Sequence, residues 1–159
     1  MKRFQRIAAI LTLRDNDDAP VLGWASLVAR LAGSTEVVGV HCWNPVEIPA
    51  ELRQRYPWML EPEVQILRER LDRLCRQHLA LAPGVRSTIE LRQGSTLGEV
   101  LNLVEPGQFD LVVVGRNPDD HALAEKLARK APCSVLAVPA GAAVRCTRIL
   151  GAVAFSPFS

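Results

Sequence analysis

The sequence predicts a doubly wound α/β fold in which a five-stranded parallel sheet is flanked by helices. Three observations lead there. Short apolar runs alternate with amphipathic segments along the chain. The runs are apolar at nearly every position, as in strands covered on both faces. From Asp110 to Pro139 a strand, a helix and a second strand follow one another, the order of a parallel crossover.

Residues 5–13, Gln5 to Leu13, give the first strand. The acidic turn Arg14-Asp15-Asn16-Asp17-Asp18 leads into a helix with Val21, Trp24, Ala25, Val28, Leu31 and Ala32 on one face. Gly33 stops that helix. Glu36 to Trp43 is the second strand. The connection from Asn44 to Leu60 carries Pro45, Pro49 and Pro57, with a short helix expected around Glu51 to Tyr56. In the long helix that follows, Val64, Leu67, Leu71, Leu74, His78 and Leu81 recur at spacings of three and four, and Pro83-Gly84 ends it. Arg86 to Leu91 is the third strand. Thr96 and Glu99 predict a capping box on a short helix bearing Leu97, Val100, Leu101 and Val104.

The fourth strand is Phe109 to Arg116 and the fifth Cys133 to Pro139. The helix between them has Pro118 near its first position and Asp119 and Asp120 in its first turn. Arg129 and Lys130 stand in its last turn, so its charges oppose the macrodipole at both ends. In open sheets of this kind ligands sit beyond the carboxyl ends of the strands. A crevice is therefore expected at Thr12, Leu13, Gly115, Arg116, Asn117 and His121.

Hydrophobic residues at 48% and charged residues at 23% exclude a disordered chain. A net charge of +2 without a basic stripe argues against nucleic acid. No apolar run approaches the roughly 20 residues of a membrane span, and the start has no signal-peptide core. Cys42, Cys75, Cys133 and Cys146 stand apart without a C-x-x-C pair. Buried free thiols are the expectation, as in a reducing cytoplasm. After the linker Gly141-Ala142-Ala143, Arg148 to Phe155 reads as a sixth strand whose Arg148-Ile149 echoes Arg6-Ile7. An extra edge strand or an arm on a partner subunit fits these residues equally well.

Among residues able to carry chemistry, Asp15, Asp17 and Asp18 fit a cation or sugar-hydroxyl site, or a solvated turn in which one Asp caps the helix ahead of Pro20. The turn lacks the Gly and distal Glu of a calcium loop. A phosphorelay receiver needs an Asp and a Lys where Gln93 and Pro139 stand. His41 and His121 face the expected crevice, yet no nucleophile or orienting carboxylate accompanies them, so catalysis is not expected. His78 reads as a packing residue. Arg116 fits either an anion contact or an ordinary exposed position. Trp43, Tyr56 and Trp58 either line an apolar pocket or pack the long connection down.

The pattern resembles the universal stress protein family. The matching stretches are Arg6-Ile7, Gly94-Ser95-Thr96, Phe109 to Gly115, and above all Ala124 to Pro139, which looks like that family's closing helix and strand. The resemblance covers residues 5 to 140. It implies a Rossmann-like five-stranded parallel sheet, often dimeric through the last strand. Members that bind ATP have an Asp ending the first strand, and a Gly, two residues, Gly, nine residues, Gly-Ser/Thr signature after the fourth.

This chain has Thr12-Leu13 where the Asp is expected. Gly115 matches the first glycine, but Pro118 replaces the second and His121-Ala122 the closing pair, in a shortened loop. Such loops hold phosphates with consecutive backbone N–H groups. Pro118 has none to give, so no cofactor is expected, and ATP, if it binds, does so through an unorthodox loop. The resemblance also makes residues 148–159 look like the first strand of a second domain, with Ala154 at its Asp position. The expected organisation is a domain over 1–142, then a linker and truncated second domain over 143–159. The expected function is a non-catalytic, cytoplasmic regulatory domain that binds a protein partner or a small ligand. It would pair as a homodimer or with a second domain of its own chain. The alternative is a nucleotide switch that binds and slowly hydrolyses ATP.

Overall fold

The apolar runs form the sheet. In the computed structural model, which describes residues 4–45, 49–106, 108–116 and 121–151, five parallel strands stand in the order β3-β2-β1-β4-β5. They are β1 (Arg6–Leu11), β2 (Glu36–Trp43), β3 (Arg86–Gln93), β4 (Leu111–Arg116) and β5 (Ser134–Pro139). The helices between them are α1 (Asp15–Ala32), α2 (Ala50–Arg55), α3 (Glu61–His78), α4 (Thr96–Val104) and α5 (His121–Lys130), with one 3₁₀ turn over Pro57–Leu60.

The strand order reverses between β1 and β4, so crossovers of one hand send their helices to opposite faces. Side chains alternate along β1 to match. Ile7, Ala9 and Leu11 pack with Val21, Leu22 and Ala25 of α1 and Leu71, Leu74 and Cys75 of α3. Ala8 and Ile10 pack with Val100 and Val104 of α4 and Leu127 of α5. The two central strands are thus buried on both faces.

Several boundaries move. The acidic stretch is the first turn of α1, not a loop before it. Leu31, expected on the packed face, is 72% exposed, and Ala29 takes its place in the core. Gly33 closes the helix in the left-handed conformation as expected (φ 65°). The long helix ends at His78, well before Pro83-Gly84. There the Ala80 N–H donates to Ser26 Oγ (3.1 Å) on α1, drawing the chain out of the helix while Leu79 and Leu81 still pack on the core. β3 runs on to Gln93, opposite Trp43. The cap of α4 is Ser95, whose Oγ accepts from the Gly98 N–H (3.3 Å). Glu99, expected in the capping box, instead takes Arg92 Nε at 2.9 Å.

Trp43 is buried, but Tyr56 and Trp58 meet edge to face (centroids 6.1 Å apart), and Trp58 is 61% exposed. Among the described residues Tyr56 and Trp58 line neither of the two main cavities. Beyond β5, Val144 lies over Gly23 of α1 so closely that a Cβ there would stand 2.5 Å from it. Arg148 to Gly151 is not a strand, and Ile149 and Leu150 are almost fully exposed. The rest of the expected sixth strand, with Ala154, lies outside the described residues.

Gly39 in β2 is dictated by packing, since a Cβ would collide with Cys75 Sγ of α3. Gly39→Ala should lower stability by about 1–3 kcal/mol. Cys75→Ala in the same chain should recover most of that loss. Urea unfolding midpoints at unchanged slope would test both statements.

Candidate functional site

At the reversal between β1 and β4 lies the position, on the sheet's carboxyl edge, where open α/β sheets bind ligands. A cavity of about 450 Å³ opens there. Thr12 and Arg14 line it from the β1–α1 turn, Asp17 and Asp18 from the first turn of α1, His41 and Cys42 from β2, and Gly115 and Arg116 from β4. Val138 and Ala140 close it beside β5.

The β1–α1 turn has an unusual backbone. Leu13 adopts φ 63°, in the left-handed region, although it carries a full side chain. For an L-residue this costs roughly 1–2 kcal/mol. Its side chain turns inward and is 4% exposed, within the core under α1. On either side of it two N–H groups point at one carboxylate. Asp18 Oδ1 accepts from the Thr12 N–H (2.8 Å) and from Thr12 Oγ1 (3.0 Å), and Oδ2 accepts from the Arg14 N–H (3.0 Å). Asp18 is 1% exposed.

Burial pushes the Asp18 carboxyl above the ordinary value of 3.8, against the hydrogen bonds from Thr12 and Arg14, which pull it down. The folded chain therefore binds this proton more tightly than the unfolded chain. Its contribution to stability is complete below pH 3.8 and is lost as pH rises through the folded value. An ionised Asp18 is thus held at a cost to the fold.

His41 lies within β2, not at its end, and its Nδ1 sits 2.8 Å from the Leu11 carbonyl. A carbonyl only accepts, so Nδ1 carries the hydrogen that meets it. Burial first, and the Glu99 charge second, push the Cys42 thiol up to about 11. At Gly115 an added Cβ would make only ordinary contact with Val21 (3.6 Å), so packing does not account for this glycine.

Of the residues expected at the crevice, Thr12, Gly115 and Arg116 line it. Leu13 does not, because its left-handed backbone sends the side chain to the core. Asn117 and the side chain of His121 lie outside the described residues, as do Pro118 to Asp120 and the side chain of Asp15. The acidic turn is not simply solvated: Asp18 is buried, and no side chain caps α1 at Arg14. Nothing in the sequence separates Asp18 from Asp17. Arg14 was not a candidate either. Among the described residues no group of three or more His, Cys, Asp or Glu stands together as a metal site. No helix among them is long and apolar enough to cross a membrane.

Together these features define a doubly wound α/β domain with an open crevice at the switch point of its sheet. The chain belongs to the universal stress protein family, whose model matches residues 4–139. No curated protein sequence matches it significantly. Among solved structures it is similar to the universal stress protein UspA from Lactobacillus plantarum. The two share 16% identity over 86% of this chain and 98% of that one, at TM-score 0.64. A universal stress protein in complex with cAMP has 17% identity, with 86% and 97% covered, at TM-score 0.59. The universal stress protein from Archaeoglobus fulgidus in complex with dAMP has 16% identity, with 87% and 99% covered, at TM-score 0.55. At such identities the likeness is one of fold.

The cysteines differ in exposure. Cys75 is buried, Cys42 and Cys133 are half-buried, and Cys146, contrary to the expectation of burial, is exposed. Burial pushes the Cys75 thiol up to about 12. A maleimide at neutral pH, followed by mass spectrometry, should label Cys146 first. Cys42 and Cys75 should lag at least ~10-fold, because the thiolate is the nucleophile and theirs is scarce and covered.

Proposed function

We propose that this chain is a non-catalytic regulatory domain whose crevice holds a ligand of nucleoside monophosphate size in place of ATP. The observation that carries the reading is the mixed charge of the cavity. Asp17 and the buried Asp18 line it on the α1 side, with the exposed Arg14 and Arg116 at its rim. Two carboxylates beside the binding space oppose a polyphosphate, while either arginine can meet a single phosphate. A cavity of about 450 Å³ is within the ordinary range for small-ligand sites. Pro118 supplies no N–H to a phosphate loop. The relatives in complex with cAMP and dAMP support a ligand of this class.

Non-catalytic action fits the chemistry of the crevice. His41 spends one ring nitrogen on the Leu11 carbonyl, and the Cys42 thiol that lines the cavity is held protonated. Binding would then act on partners. β5 has no neighbour beyond β4 among the described residues, and an open edge of this kind suits a homodimer or a second domain of the same chain. Action in the cytoplasm agrees with four free cysteines.

Calorimetric titration of the chain with AMP and with Mg-ATP tests the reading. AMP should bind about 10-fold or more tighter than ATP, and no ADP should form over hours. ATP binding tighter than AMP, with turnover, would install the nucleotide switch instead. Failure of both to bind would leave protein partners as the mode of action.

A further inference from the structure

We infer that Asp18 is the positioning residue of the crevice: its ionised carboxylate holds Thr12 to Arg14 in the backbone conformation that sets Thr12, Arg14 and Asp17 around the cavity. The inference rests on the crevice being the binding site. Leu13 is neither Gly nor Asn, the residues that enter the left-handed region readily, so something must hold it there. The N–H groups flanking it, those of Thr12 and Arg14, end on the two oxygens of the same carboxylate. That carboxylate closes a ring around Leu13. Thr12 Oγ1 donates into it as well, which fixes the polar side chain that lines the crevice just past β1. Neither N–H has another partner among the described residues.

Three donors on one carboxyl are best met when it is ionised. A protonated carboxyl gives up acceptor capacity and presents a hydroxyl that must find an acceptor of its own. Adding the proton would therefore weaken the bonds from the flanking N–H groups and with them the hold on Leu13. The charged and titratable groups around Asp18 are Arg14 and Asp17 on its own turn and helix, His41 and Cys42 from β2, Arg116 from β4, and Cys75 from α3. β5 contributes only Val138 to the cavity, followed by Ala140.

The test is a ¹H–¹⁵N NMR titration of the whole chain from neutral pH down to about 2.5, below the ordinary carboxyl range. The Thr12 and Arg14 amide resonances should shift together, with one shared midpoint above 3.8. Asp18→Asn should abolish that shift, and His41→Gln should leave it in place. Separate midpoints, a midpoint at or below 3.8, or loss of the shift in His41→Gln would overturn the inference. If Asp18→Asn does not fold, the wild-type and His41→Gln titrations still decide.

AMP binding provides a second readout. Asp18→Ala should weaken it about 10-fold in the parent chain, but less than ~3-fold when Leu13→Gly lets the turn adopt its conformation unaided. Equal losses in both backgrounds would assign Asp18 some role other than holding Leu13. Should the parent chain not bind AMP at all, the reading of the crevice fails, while the shared titration still stands or falls by itself.

Discussion

The pairing of β1 with β4 joins the two halves of this domain, and the rest depends on it. Four residue pairs, Ile7 with Leu111 through Ile10 with Val114, connect the β3-β2-β1 half to the β4-β5 half. Both strands are sandwiched between helices, so the contact is apolar on each face. At the amino end a carboxylate secures it: Asp110 Oδ2 accepts from the Gln5 and Arg6 N–H groups at 2.8 and 3.0 Å. Arg6 in turn lies over the Phe109 ring and pairs with Glu36 of β2. At the carboxyl end the chain passes from β1 to α1 on one face of the sheet and from β4 to α5 on the other. The crevice is what this divergence leaves open. Asp18 then braces its β1 side as Asp110 braces the other end.

The amino-acid sequence makes the layers of this fold plain and leaves the polar details hidden. Strands buried on both faces must be apolar throughout, so Ala8 to Leu11 and Leu111 to Val114 announce themselves. The end of α5 is equally clear from Arg129 and Lys130 in its last turn. What stays hidden is settled by single hydrogen bonds between distant residues. Ser26 cuts α3 short by capturing Ala80, and Arg92 takes Glu99 away from the cap that Ser95 then supplies. Neither partnership leaves a periodic trace.

The crevice was legible in its place and only partly in its residues. The rule of strand ends locates Thr12, Gly115 and Arg116. It misplaces Leu13, since a leucine in the left-handed region is not something a sequence declares. It also passes over Asp18, which looks like its neighbours Asp15 and Asp17 until the helix begins at the acidic stretch and carries this one inward. The family resemblance could not supply the residue either, because the carboxylate here comes from α1 and not from the end of β1.

The separation of the β1–β4 partners has a consequence for synthesis. Ile7 and Leu111 pair across more than a hundred residues of chain. At translation speeds of about 5–20 residues per second, the inner edge of β1 waits on the order of 5–20 s for its neighbour. Through that interval the nascent chain carries a wholly apolar strand with one side unpaired, a ready template for association between chains on neighbouring ribosomes. A domain built this way places its greatest aggregation hazard before release, at the ribosome, where chaperones that shield emerging apolar strands would have most effect on its yield.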